Sequence, residues 1–265
     1  MADAAQATMK QPLLRVSNLS KFYGSRPGCL EASLDLWPGE VLGIVGESGS
    51  GKTTLLDCIS GRLNPSAGSV LYLTRQGEVV DVHRTHESMR RRLMRTEWGI
   101  VHQHAADGLR MGISAGGNIG ERLMGLGMRH YGNIRAKALE WLERVEIDVG
   151  RIDDAPRTLS GGMRQRLQIA RNLVTGPSLL FMDEPTGGLD VSVQAKLLDL
   201  LRGLVAEFSL AVVIVTHDLA VARLLAHRLI VMRQGLVVEQ GLTDQVLDDP
   251  QHPYTQLLVS SILQA

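Results

Sequence analysis

Leu30, Ala32, Leu34 and Leu36 alternate with Glu31, Ser33 and Asp35, the two-residue period of a strand with one wet face, and Pro38-Gly39 ends the run with a turn. Val41 to Val45 is apolar and β-branched enough to predict a short strand covered on both faces. After a glycine-rich stretch, Leu55, Leu56 and Ile59 fall at helical spacing, which predicts a helix over Lys52 to Arg62. Gln76-Gly77 separates Val70 to Leu73 from Val79 to Val82 and predicts a hairpin turn, hence an antiparallel part early in the chain.

Between about Ala105 and Thr158 the β-branched runs vanish, and helical stretches such as Ile134 to Val145 lie among glycine joints at Gly112, Gly116-Gly117 and Gly125. The β/α alternation then resumes, with a strand at Leu179 to Met182, a helix from Val191 to Glu207, a strand at Ala211 to Val215 and a helix from Leu219 to Ala226. Leu229 to Met232 and Leu236 to Val238, joined at Gly235, predict a late hairpin, and Thr243 onward reads as a helical tail. The pattern therefore predicts an α/β fold, a nucleotide-binding core split by a helical insertion. In residue terms this is a flexible tail over 1–10, one domain over 11–245 with the helical subdomain at about 105–158, and a C-terminal helical tail over 246–265.

Composition narrows the partners. The 265 residues hold 28 Lys plus Arg against 28 Asp plus Glu, so the bulk charge gives no reason to expect nucleic acid. No window reaches the roughly eighteen apolar residues of a membrane span, and Met1 to Gln11 lacks the pattern of a secretory signal, which predicts a cytoplasmic chain without direct membrane insertion. Cys29 and Cys58 read as buried reduced thiols. The run Arg90-Arg91-Arg92 with Arg95 reads as a solvated helix face in preference to a nucleic-acid contact or an anionic docking patch. His102-Gln103-His104 lacks the local ligands of a transition-metal site, and Met163, Met182 and Met232 read as core fillers.

The chemistry starts at Gly46-Glu47-Ser48-Gly49-Ser50-Gly51-Lys52-Thr53, which satisfies the phosphate-loop pattern between a buried strand and a helix. Its glycines let backbone N–H groups converge on phosphate oxygens, the helix N-terminus adds a favourable dipole, and Lys52 brings a point charge. Thr53 can ligate magnesium through its hydroxyl, and Thr54 completes the nucleotide-binding set. Further on, Leu179 to Met182 delivers Asp183 and Glu184 to a strand end, where open α/β sheets bind ligands. Asp183 suits a magnesium contact and Glu184 suits activation of the attacking water.

Leu159-Ser160-Gly161-Gly162-Met163-Arg164-Gln165-Arg166 admits two readings, a helix N-cap with a flexible lead-in or a second anion site built from Ser160 and the Gly161 and Gly162 amides. This stretch resembles the signature sequence of the ATP-binding-cassette family, and the resemblance runs from about Leu13 into the tail. It implies a P-loop NTPase core of RecA-like type, ATP and magnesium as cofactors, and a homodimer in which each signature faces the neighbour's phosphate loop. It further implies that Tyr23 stacks on adenine, with Phe22 as competitor or either ring merely core, and that Gln103 approaches the metal. It implies that Gly187-Gly188-Leu189-Asp190 crosses the dimer interface and that His217 contacts the γ-phosphate as a catalytic partner of Glu184. Met163 and Gly187-Gly188 depart from the commonest family residues, and neither removes a phosphate donor.

Within that family, the segments Trp37 to Ser48, Arg95 to His104 and Ser114 to Leu123 are similar to the ATP-binding subunits of bacterial carbon-phosphorus lyase systems. That likeness implies a lyase core complex as partner. His252-Pro253-Tyr254-Thr255 also occurs in ATPases of peptide and nickel importers, the alternative assignment, and a nucleotide-binding scaffold without turnover is a further one. The stretch from about His104 to Gly127 is the expected partner surface, with Gly108, Gly112, Gly116 and Gly117 expected to adopt unusual backbone angles.

Overall fold

The computed structural model describes residues 11–261, so the expected tail over 1–10 and the last four residues lie outside the described residues. Two compact units divide the chain: one runs up to Arg90 and resumes at Ser209, the other is Arg91–Phe208.

The first unit opens with β1 (Leu14–Tyr23), β2 (Arg26–Leu36), β3 (Val41–Val45), α1 (Lys52–Ile59), β4 (Ala67–Leu73) and β5 (Val79–Asp81). β1 pairs antiparallel with both β2 and β4, and β4 with β5 across the predicted turn, where the Gly77 amide donates to the Thr74 carbonyl at 2.9 Å. From Ala32 on, the alternation along β2 works as its pattern predicts, with Ala32, Leu34 and Leu36 buried and Ser33 exposed; before it Cys29 is buried and Leu30 only half-buried, because Glu31 at φ 48° breaks the period. α1 stops at Ile59, short of Arg62, because the chain folds back: the Arg62 and Leu63 amides both donate to the Asp57 carbonyl, at 2.9 and 3.0 Å.

α2 (Glu87–Thr96) carries the chain into the second unit, which continues with β6 (Trp98–Val101), α3 (Ala105–Gly108), α4 (Ala115–Gly125), α5 (Tyr131–Arg144), α6 (Gly161–Leu173), β7 (Leu179–Asp183) and α7 (Val191–Phe208). β6 and β7 are parallel, and Trp98 meets Phe181 edge-on at 5.5 Å between ring centroids. Trp141 of α5 stacks on Phe208 at 5.6 Å, with Arg144 lying over both rings and bonded to Glu207.

Two expectations fail in this unit. Gly108, Gly112, Gly116 and Gly117 all have ordinary φ; Gly116 and Gly117 sit inside α4, and a Cβ on Gly116 would lie 2.6 Å from Ile152 Cγ1. Gly108, Gly116 and Gly117 serve close packing, where absence of a side chain rather than a special dihedral is what the position demands, whereas a Cβ on Gly112 would meet nothing within 4 Å. Met163 is no core filler either: it is half-buried at the start of α6, its sulfur accepting a weak bond from Arg151 at 3.6 Å, whereas Met182 and Met232 are buried.

The chain re-enters the first unit with β8 (Ala211–Thr216), α8 (Leu219–Leu225), β9 (Arg228–Arg233), β10 (Leu236–Leu242), α9 (Thr243–Asp248) and α10 (Pro253–Ser260). Strand order in this unit is β5-β4-β1-β2-β10-β9-β3-β8. β3 lies between parallel neighbours β8 and β9 and is buried at all five positions, which is why its sequence is apolar without alternation. The C-terminal tail is two helices: α9 stops at Asp248, two residues before Pro250, and Pro253 starts α10 at its first turn. Cys29 and Cys58 are buried and free. Among the described residues no helix is long and apolar enough to cross a membrane.

Candidate nucleotide site

In the first unit, the buried strand β3 runs into the loop from Gly46 to Gly51, which opens directly into α1. Gly46 has φ 147° and a Cβ there would lie 2.2 Å from the Met232 carbonyl oxygen; Gly51 has φ 103° and a Cβ would lie 2.0 Å from the Gly28 carbonyl oxygen. Only glycine satisfies both the dihedral and the contact at either end. The Gly235 amide donates to the Ser50 carbonyl at 2.8 Å and the Ser50 amide to the Glu47 carbonyl at 3.1 Å, which closes the loop into a turn. Ser48 and Gly49 are exposed at its crest.

The loop has an interior chemistry suited to a polyphosphate. Lys52 is buried, and its ammonium donates to the carbonyls of Gly46 and Glu47, both at 2.8 Å. The Ser50 hydroxyl oxygen is buried without a hydrogen-bond partner, an orphan that an oxygen-rich ligand would satisfy. With a cation inside the turn and a helix N-terminus behind it, the residues fit a phosphate group. Thr53 is exposed at the helix start, and Thr54 lies behind it. Its methyl and the Tyr23 ring edge both come within 2.8 Å of where a Gly28 Cβ would stand. Tyr23 is 53% exposed and Phe22 42%, so neither ring is core.

His217 shares this unit. Val45 pairs with Thr216 in the parallel β3–β8 register, so Gly46 and His217 leave neighbouring strands at the same end. The exposed histidine is held between two fixed points: the Thr216 hydroxyl accepts from the Asp218 amide at 3.0 Å, and Asp218 caps α8 by accepting from Ala220 at 2.8 Å.

In the second unit the same register logic works on β6 and β7. Val101 lies opposite Met182, so Gln103 and the Asp183-Glu184 pair emerge at one edge, and the Gln103 amide donates to the Glu184 carboxylate at 3.1 Å. Asp183 is half-buried at the end of β7. Glu184 adopts φ 42°, a left-handed conformation costing about 1 kcal/mol or more outside glycine, and its carbonyl is held by the Gly187 amide at 2.9 Å. The strand leading to Gln103 is stapled to α6. Gln168 accepts from the His102 amide at 2.6 Å and donates back to the His102 carbonyl at 3.2 Å, Gln165 adds another bond there, and Asn172 exchanges both bonds with the Ile100 backbone.

α6 itself begins at the signature. Ser160 is its N-cap, the hydroxyl oxygen accepting from the Met163 amide at 3.3 Å while its own proton remains available to donate. Ser160 and Gly161 are exposed; Gly162 is buried, where a Cβ would meet Val193 Cγ1 at 2.5 Å. Asp190 caps α7: hydrogen bonds from the Val193 amide and the Ser192 hydroxyl hold its carboxyl below the ordinary aspartate range. Val191, beside it, is 84% exposed.

Residues 29–187 match the ABC transporter family. The chain belongs to it. Cassettes of this family are ATPases, and the fold agrees: the ATP-binding cassette MJ0796, solved as a dimer bound to ADP and Pi after hydrolysis, has a TM-score of 0.77 at 30% identity, covering 87% of this chain and 98% of that one. CbiO1 of Clostridium perfringens, part of the ABC transporter complex cbiONQ, has a TM-score of 0.78 at 27% identity, covering 91% and 92%. The phosphonates utilization ATP-binding protein PhnK of Escherichia coli (strain K12) is 70% identical over 97% of this chain and 100% of its own length. A peptide import ATP-binding protein of Brucella abortus (strain 2308) is 40% identical over 95% of this chain and 77% of its own length. Residues 238–265 match the oligopeptide/dipeptide transporter C-terminal region.

The sequence pattern named the polar groups expected at the site and missed what holds them in place. The carbonyls of Gly28 and Met232 that back the loop leave no mark in a one-residue pattern, since any residue supplies a carbonyl. Gln168 and Asn172 were visible as polar residues on the apolar side of a predicted helix, a signal for buried hydrogen bonding.

Proposed function

We propose that this cassette binds Mg-ATP and hydrolyses it between two head-to-tail copies, as the ATP-binding subunit of a phosphonate-utilisation system whose partner is a carbon-phosphorus lyase core. The observation that carries the assignment is the 70% identity to the E. coli phosphonates utilization protein over that protein's full length. The dimer follows the two-copy arrangement solved for MJ0796, and the lyase partner rests on the resemblance of the segments around Ser48, Gln103 and Asn118.

Lys52 and the amides from Ser48 to Thr53 hold the triphosphate of one copy, and Ser160 with the Gly161 and Gly162 amides of the second copy holds the same γ-phosphate. Tyr23 stacks on the base and Asp190 lies at the seam between copies. Glu184 accepts the proton of the attacking water, and His217 steadies the phosphate oxygen on which charge grows. Thr53 in the first unit, and Asp183 and Gln103 in the second, would be the residues to hold magnesium, and the ion would supply neutralisation of the phosphate charge. Loss of the γ-phosphate removes the group that Ser160 grips from across the seam, so the pair reopens. The chain works in the cytoplasm.

A peptide-importer role is favoured by one observation, the match of residues 238–265 to the oligopeptide/dipeptide transporter C-terminal region. Recovery of the tagged chain from cells grown on a phosphonate as sole phosphorus source decides between the two. Co-purifying soluble lyase subunits support the proposal; co-purifying integral membrane permease subunits would refute it.

A further inference from the structure

The His252-Pro253-Tyr254-Thr255 segment has a duty in the first unit that neither assignment uses. Tyr254 is buried, and its hydroxyl oxygen accepts a hydrogen bond from the Glu47 amide at 3.0 Å, inside the phosphate loop. Arg233 covers the tyrosine ring at 4.9 Å from the centroid, one residue past Met232, whose carbonyl backs Gly46.

The tyrosine reaches the loop from a firmly seated helix. His252 caps α10 by accepting from the Tyr254 amide at 3.1 Å, and Pro253 sets its first turn. The Glu239 carboxylate of β10 grips the approach, one oxygen accepting from the Gln251 amide at 2.8 Å and the other from the His252 amide at 3.0 Å. A chain of contacts thus runs from Glu239 to α10, from α10 to Tyr254, and from Tyr254 to Glu47.

The position of that last bond matters. The ends of the loop are fixed by backbone packing at Gly46 and Gly51, but its crest is not: Ser48 is exposed, and a Cβ on Gly49 would meet nothing within 4 Å. A glycine-rich crest without packing has many conformations, few of which point its amides at one centre. Glu47 is where the crest begins: its carbonyl accepts from Lys52 and from the Ser50 amide, and Tyr254 takes its amide, so the free positions Ser48 and Gly49 start from a residue held on both sides.

We propose that Tyr254 is a positioning residue for the nucleotide: it holds the start of the loop crest in the conformation that receives phosphate, and it makes that conformation depend on the seating of α10. The inference rests on the loop being the nucleotide site.

The test uses the full chain and Mg-ATP, with ADP as the binding probe. Tyr254→Phe keeps the ring under Arg233 and deletes one hydrogen bond, so the KM for Mg-ATP and the Kd for ADP rise about three- to tenfold with kcat within about twofold. Hydrogen exchange at the amides of residues 47–50 in the nucleotide-free protein quickens in parallel. Glu239→Gln, which leaves the tyrosine intact and loosens the approach to α10, shifts KM the same way by a smaller factor. A lowered melting temperature with unmoved KM, Kd and loop exchange in both variants would mean that Tyr254 only supports the fold, and would overturn the proposal. If the unsubstituted chain itself binds no nucleotide, the reading of the site falls, and this inference with it; binding by the unsubstituted chain and an unmoved Tyr254→Phe variant sinks this inference alone.

Discussion

Gln103 and Glu184 come from adjacent parallel strands and meet at 3.1 Å, amide to carboxylate. The bond ties a carboxylate oxygen of a residue whose own backbone stands on a strained left-handed corner at φ 42°.

Glu184→Gln preserves this arrangement, since a glutamine carbonyl still accepts from Gln103, but it removes the proton acceptor. Turnover should fall by about 10²- to 10⁴-fold with ATP binding retained, and a closed pair should accumulate. Single-turnover hydrolysis together with size-exclusion chromatography in ATP checks both parts; turnover near that of the unsubstituted chain would strip Glu184 of its role.

Lys52→Ala removes the cation from inside the loop and the donor to the Gly46 and Glu47 carbonyls. A charge-assisted contact of about 1.5–3 kcal/mol is lost, so ATP affinity should drop about 10- to 150-fold, as read by calorimetric titration. An affinity within twofold of the original would contradict the phosphate-loop assignment.

Asn172→Ala leaves both the N–H and the carbonyl of Ile100 without their side-chain partner beneath α6. Unsatisfied buried groups cost about 2–3 kcal/mol, which lowers the thermal midpoint by about 5–10 °C in a chain of this size. Scanning calorimetry measures it, and a midpoint unchanged to within a degree would show that water replaces the asparagine.

Glu239 gives a pH signature. Burial alone would raise its pKa, but the neighbouring Thr255 hydroxyl and the hydrogen bonds from the Gln251 and His252 amides outweigh it, and the folded carboxyl lies below its ordinary value of 4.5. Its contribution is therefore fully present above that value and is lost as pH falls through the lower, folded pKa. Amide exchange at residues 251 and 252 should be protected at pH 7 and lose protection in acid, at a pH below 4.5, with the step abolished in Glu239→Gln. The same acid profile in Glu239→Gln as in the unsubstituted chain would remove the carboxylate from this anchor.

Much of the fold was legible because its strongest patterns are short-range. The alternation in β2, the unbroken apolar run of β3 and the phosphate-loop spacing each need only neighbours in sequence. β1 escaped because its period breaks where Asn18 takes φ 48° and the pairing with β2 shifts register after Val16. β6 escaped because Gly99 interrupts it, a glycine required by Leu180, whose Cδ1 would stand 2.6 Å from a Cβ there. The site's polar residues were visible for the same local reason, and its supports were not: the bonds from Tyr254 to Glu47 and from Gln168 to His102 join positions 207 and 66 residues apart.

The seating of α10 against β10 also bears on how this cassette is handled at the bench. Since α10 carries the residue that touches the phosphate loop, nucleotide constants measured with a C-terminal purification handle should be compared with those from an N-terminal one.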